Sequence, residues 1–256
     1  VSPVKQDIPE MTPLPASDPA HGLFETLLVL DGEPVALAAH LERLAASLAT
    51  LFGARLPAAL ADDVAERARG LRLGRMRIVV DGAGAGATLT TQEVDAADLF
   101  PGRNRGVGLR SLPCPGGLGA HKWADRRFLG EARGEPVPLL FDRGDEVLEA
   151  GRGNVFAVFG AVLSTPRADG RILPGTARAA AIDVAREEGV EVRERRLARE
   201  DLFSADEVFL TGSVRGVEPA ASLDGAPLPT GEGLGQRVGE GLRLKWRTGR
   251  LAATRS

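Results

Sequence analysis

Ile172-Leu173-Pro174-Gly175-Thr176-Ala177-Arg178 is the stretch on which the reading of this chain turns. A short apolar run ends in a Pro-Gly turn, and an alanine-rich segment follows to Glu188, the pattern of a strand passing into a helix. The first N–H groups of such a helix have no partner inside it and carry its positive dipole end, so the turn suits an anion such as a phosphate. The Thr176 hydroxyl is expected as the N-cap. An ordinary helix start has the same composition, so the turn gains meaning from its company. Downstream, Leu210-Thr211-Gly212-Ser213-Val214-Arg215-Gly216 ends a strand in a small-residue loop with two hydroxyls and accessible amides. It is either a plain turn or a second anion site.

Upstream the notable residue is Lys122. The chain has 32 basic residues, and only Lys5, Lys122 and Lys245 are lysine. A chain that uses arginine for plain positive charge keeps a central lysine for a reason, and only an amine can be deprotonated and form an imine. Lys5 falls in a proline-rich N-terminal stretch and Lys245 in the polar C-terminal tail, whereas Lys122 sits between His121 and Trp123 after a Pro/Gly-rich loop. Val147-Leu148-Glu149-Ala150 places a carboxylate at the end of an apolar strand, just before Gly151-Arg152-Gly153. Glu149 alone reads as a strand-end acid facing water. His40, Arg43 and Ser47 form a polar stripe on the first helix, either solvated or positioned for Arg43 to reach a phosphate across a domain boundary. Together, an amine, a carboxylate on an apolar strand, two anion-binding turns and an arginine form the inventory for pyridoxal phosphate. The lysine takes the aldehyde, the carboxylate pairs with the ring nitrogen, and the turns and arginine take the phosphate.

The rest of the chain limits the alternatives. Its 256 residues make one large domain or two small ones, and 43% hydrophobic with 26% charged residues is an ordinary globular composition. One cysteine, Cys114, excludes an internal disulfide framework, and three histidines leave little for a metal centre. A net charge of -3 argues against nucleic-acid binding. With no long apolar run there is no membrane span, and the N-terminus lacks the apolar core of a signal peptide, so a cytoplasmic protein is expected. Residues 1–20, with five prolines, read as an extended arm; 21–112 as a small α+β domain; Pro113 to Ala120 as the interdomain linker; 121–256 as the larger domain. The pattern predicts helices over 38–52, 57–71, 123–133, 176–188, 199–203 and 231–247, with strands between them and no regular βαβ repeat. Asp81-Gly-Ala-Gly-Ala-Gly86 lies between two strands and reads as a hairpin, not a dinucleotide loop.

The chain resembles the class IV aminotransferases, the fold-type IV pyridoxal-phosphate enzymes. The resemblance rests on Gly22-Leu-Phe-Glu-Thr26, His40-Leu-Glu-Arg-Leu44, Lys122, Leu148-Glu149 with Asn154-Val-Phe156, Leu173-Pro-Gly-Thr-Ala-Arg178 and Glu207-Val-Phe-Leu-Thr-Gly-Ser213, in family order from about Gly22 to Gly225. It implies a two-domain α+β fold with a barrel-like core in the larger domain, a cofactor between the domains, and a homodimer. Lys122 would be the Schiff-base lysine and proton shuttle, and Glu149 the partner of the ring nitrogen. Arg43, Gly175, Thr176 and Ser213 would hold the phosphate. The Ser213-Val214 amides, with Arg152 and Arg215, would lie near a substrate carboxylate. Branched-chain enzymes carry a tyrosine five residues after the lysine, where this chain has Arg127 and no tyrosine at all. Lys122-Trp-Ala-Asp125-Arg126 is closer to the Lys-x-x-Asn-Arg of 4-amino-4-deoxychorismate lyases, although Asp81–Gly86 lacks the arginine that some lyases place there. The resemblance thus implies a lyase that eliminates pyruvate to give 4-aminobenzoate. Alternatives are an aminotransferase of branched-chain or D-amino acids and a non-catalytic binding homologue.

Overall fold

The computed structural model describes residues 17–129, 136–231 and 233–249. Strand β1 (Leu23–Leu30) is apolar apart from Glu25 and Thr26 and buries both faces. It turns at Asp31-Gly32, both with positive φ, into the short β2 (Glu33–Pro34), as an Asp-Gly hairpin requires. Helix α1 (Leu37–Phe52) and helix α2 (Leu60–Ala68) follow, then β3 (Leu73–Val80) and β4 (Ala87–Glu93). The four strands form an antiparallel sheet in the order β2-β1-β3-β4. Leu44 and Leu48 of α1 and Val64 of α2 pack with Leu23, Leu27, Met76 and Ile78 in a core of its own.

The second sheet takes β5 (Val107–Pro113), β6 (Val137–Asp142), β7 (Glu146–Ala150), β8 (Asn154–Phe159), β9 (Val162–Thr165), β10 (Glu191–Glu194), β11 (Glu207–Gly212), β12 (Gly216–Leu223) and β13 (Ala226–Pro227). Its order is β10-β9-β8-β11-β12-β5-β6-β7, with β13 beside β12. The sheet curls into a barrel-like core filled by Leu109, Leu139, Phe141, Val155, Val208 and Leu210, with a tight turn at Ala150–Gly153 joining β7 to β8. Helices α3 (Thr176–Glu187) and α5 (Leu234–Thr248) cover its outer face over the stacked rings of Phe156 and Phe209, and the short α4 (Arg199–Ser204) lies near one end. The architecture is the mixed α+β fold with a barrel-like core that the sequence implies.

Three expectations change. Strand β5 pairs with β6 and β12, so the chain passes from one sheet to the other between β4 and β5, ahead of the expected boundary at 113–120. That Pro/Gly-rich stretch packs instead on the larger sheet: the Cys114 N–H donates to Phe141 O and the Gly119 N–H to Arg171 O. The helix expected over Trp123–Arg133 is absent from its described part. The Phe24 N–H donates to Lys122 O and the Ala124 N–H to Gly22 O, so this segment lies extended on β1 before a 3-10 turn at Arg127–Leu129. Of the expected arm, residues 1–16 lie outside the described residues, and Pro19–His21 is a 3-10 turn capped by Asp18. No helix among the described residues is long and apolar enough to cross a membrane.

Candidate active site

Laying residues 122–124 on β1 aims Lys122 into a cleft of about 1030 Å³ between the two sheets. Its Nζ stands 4.9 Å from the centre of the Phe24 ring and 3.8 Å from Glu25 Oε2. Burial pushes the amine down to about 8 against the pull of Glu25, and the charges of Arg43, Arg126 and Arg77 push the same way as burial. An amine so depressed has an appreciable neutral, nucleophilic fraction near neutral pH.

Glu149 lies on the wall of the same cleft. It is 5% exposed and accepts one hydrogen bond, from the Leu173 N–H at 3.2 Å. Burial pushes its carboxyl up to about 7, opposed chiefly by the charge of Arg126. No cation among the described residues lies within ion-pair distance of it. A carboxyl kept this dry either stays protonated or needs a positive partner to ionise.

The two turns expected to bind an anion meet. Gly175 is the N-cap of α3 and Thr176 its first residue, so the Thr176 hydroxyl does not cap the helix as expected. That hydroxyl instead stands 3.0 Å from Ser213 Oγ and 3.3 Å from His40 Nε2. Gly175 packs closely on Asn154, where a Cβ would collide with the Asn154 Oδ1. Asn154 in turn donates to Leu173 O at 3.0 Å, fixing the path of the Leu-Pro-Gly turn.

The polar stripe of α1 is not solvated: His40 is 1% and Ser47 6% exposed. Arg43 does cross the boundary, donating through Nη1 to Pro174 O at 2.8 Å. Its Nε and Nη2 are held by the two oxygens of Glu25, at 2.8 and 2.7 Å, while His40 Nδ1 lies 2.8 Å from Glu25 Oε2. Burial would push Glu25 up, but Lys122, the His40 hydrogen bond and Arg43 outweigh it and hold it well below the usual carboxylate range. Sequence reasoning missed Glu25 as the hub of the site. The available signal was its place in β1 on the same face as Leu23 and Leu27.

Arg152 and Arg215 line the cleft but are tied down. Glu218 receives Arg152 at 2.6 Å and Arg215 at 3.2 Å, and Asp98 takes the second arm of Arg215 at 3.5 Å. The cations grouped near Lys122 are others. The Arg77 guanidinium lies 3.8 Å and that of Arg126 5.3 Å from the centre of the Phe24 ring, and Arg126 also donates to Gly151 O at 3.1 Å. Arg127, at the tyrosine position of branched-chain enzymes, is exposed and clamps Asp125 with two hydrogen bonds, and Asp125 also accepts from the Asp18 N–H. Val214 lines the cleft beside Ser213. No group of metal-ligating side chains occurs among the described residues.

These residues fit pyridoxal phosphate: a depressed amine, a dry carboxylate on the cleft wall, and a helix N-terminus that meets a hydroxyl-bearing loop. The sequence pattern of amino-transferase class IV matches residues 22–100 and 123–223. The chain belongs to that family. Its cofactor is pyridoxal 5′-phosphate. The branched-chain-amino-acid aminotransferase of Escherichia coli K12 is 35% identical over 154 residues, which cover 59% of this chain and 48% of that protein. The chain thus spans about half the length of the curated relatives it matches. Among solved structures, a hypothetical aminotransferase from Mycobacterium tuberculosis in its pyridoxal-phosphate-bound form superposes with a TM-score of 0.77 at 26% identity, over 95% of this chain and 96% of that one. The 4-amino-4-deoxychorismate lyase of Pseudomonas aeruginosa superposes with a TM-score of 0.71 at 26% identity, over 88% of this chain and 90% of that one.

Proposed function

We propose that this class IV chain is a lyase that eliminates pyruvate from 4-amino-4-deoxychorismate to give 4-aminobenzoate. The observation that carries the reading is the cluster of Arg77, Lys122 and Arg126 around Phe24, beside a dry Glu149. A substrate with two carboxylates matches two arginines flanking the reactive amine. The position of Arg126, four residues after the lysine, also follows the lyase pattern.

Bound in the cleft, pyridoxal phosphate supplies an electron sink for the carbon that bears the substrate's amine. In this reading Glu149 keeps the ring nitrogen protonated, Gly175, Thr176, Ser213 and Arg43 hold the phosphate, and the Val214 amide faces a substrate carboxylate. Lys122 would hold the cofactor covalently, yield it to the substrate's amine, and take the proton from that carbon. Loss of that proton together with the enolpyruvyl oxygen at the neighbouring carbon would leave an aromatic ring; Lys122 would pass the proton to the departing enolpyruvate, which ketonises to pyruvate, and would then displace the amine of 4-aminobenzoate. The relatives support a second reading, an aminotransferase of branched-chain or D-amino acids, in which no substituent is expelled, Lys122 would return the proton at the cofactor carbon, and water would release a 2-oxo acid. A homodimer in the cytoplasm belongs to both.

The deciding experiment is a panel comparing aminodeoxychorismate with pairs of amino donors and 2-oxo acids. Release of pyruvate and 4-aminobenzoate supports the lyase; amino transfer without either product supports the aminotransferase.

Arg43→Ala should weaken cofactor affinity by about tenfold, with activity partly restored by excess cofactor, because one charge-assisted contact contributes roughly 1.5–3 kcal/mol. The variant should also melt earlier, since Glu25 loses its bidentate partner while it stays buried. Unchanged affinity on titration would place the phosphate wholly on the turns at 175–176 and 213–214.

A further inference from the structure

Glu25, His40, Thr176 and Ser213 form an unbroken hydrogen-bonded line from the small sheet to the meeting point of the two turns. We propose that His40 is a positioning residue that braces the two turns through Thr176, so that the turns meet the anion, alongside Arg43, with their backbone N–H groups and not their hydroxyls. The proposal rests on the reading that this cleft holds the phosphate of pyridoxal phosphate.

The direction of each bond follows from its neighbour. Glu25 is ionised and can only accept, so at 2.8 Å the His40 Nδ1 must carry the proton. The groups around the ring are Glu25 on β1, Arg43 on α1 and Lys122 on the segment laid against β1. Burial keeps the ring neutral despite Glu25, and the charges of Arg43 and Lys122 act in the same sense as burial. A neutral ring protonated at Nδ1 has a lone pair at Nε2, so Thr176 donates to it. The Thr176 oxygen is then the acceptor for Ser213. Both hydroxyl protons therefore run inward along the line and not out toward an anion. The hydroxyls fix the spacing between the start of α3 and the loop after β11, and the amides of those two segments remain free to meet the phosphate.

The test measures the dissociation constant of pyridoxal phosphate, by its visible absorbance, for the full chain and for His40→Gln, Thr176→Val and the double variant. Each single change should weaken binding about tenfold, and the double should bind within about threefold of either single, because both break the same brace. Losses that multiply to about a hundredfold, or His40→Gln binding within about twofold of wild type, would overturn the proposal. Should the His40 variant fail to fold, nitrogen NMR of histidine-labelled wild-type chain reads the same point. Proton on Nδ1 with bare Nε2 at neutral pH is expected; a proton on Nε2 overturns it. If wild type itself takes up no cofactor, the functional reading fails, and the NMR result still judges the brace.

Discussion

Lys122→Arg should leave a folded protein with no cofactor-derived visible band and at least about 10⁴-fold less turnover, because one substitution removes both covalent attachment and proton transfer. Arginine keeps the charge that Glu25 faces at 3.8 Å but cannot be deprotonated. Borohydride should fix the cofactor of the wild-type enzyme on Lys122, with peptide mapping locating the adduct. Lys245 is engaged with Glu187 at 2.7 Å on α5, and Lys5 lies outside the described residues. An adduct on either would remove the assignment. The pH dependence follows from the depressed amine. Below about 8 only the neutral fraction attacks, so the rate of cofactor capture should rise about tenfold per pH unit and level off above that value. A rate that went on climbing to pH 10 would mean that the amine is not depressed.

How much of this was legible follows from what each signal depends on. The strands and helices were readable because their periodicity is local: Leu41, Leu44 and Leu48 mark α1 wherever it packs. Lys122 and Glu149 were readable because each is chemically out of place, a lysine among arginines and an acid in an apolar strand. The extended Trp123 segment has a helical local pattern, but its partner is the backbone of Gly22 and Phe24, about a hundred residues away and invisible to that pattern. The Gly/Pro content of 113–120 marks a turn but not which sheets it joins. Arg152 and Arg215 looked available for a substrate because nothing in a sequence says that Glu218 will hold both. Glu25 is an acid on the face shared by Leu23 and Leu27, so it must be either paired or expelled, and its partners lie too far along the chain for local pattern to name them. The structure pairs it three ways, with His40, Arg43 and Lys122, and so makes it the junction between the amine and the anion turns.

Glu149→Gln should keep the cofactor bound and lose activity by about 10³-fold, because glutamine cannot hold the ring nitrogen in its protonated, electron-withdrawing form. The variant separates this role from a structural one through its effect on the cofactor-free protein. Burial raises the Glu149 carboxyl from 4.5 to about 7, so the folded state binds its proton more tightly than the unfolded state does. The stability this contributes is fully present below about pH 4.5 and is lost as pH rises through about 7. Glutamine carries no such proton, so the variant's melting temperature should lack that decline and equal or exceed that of wild type at pH 8. Loading the cofactor should reverse the order, since a protonated ring nitrogen gives the wild-type carboxylate the partner it lacks. Activity within a few fold of wild type, or a cofactor-free Gln variant that melts earlier at pH 8, would reduce Glu149 to a packing residue of β7.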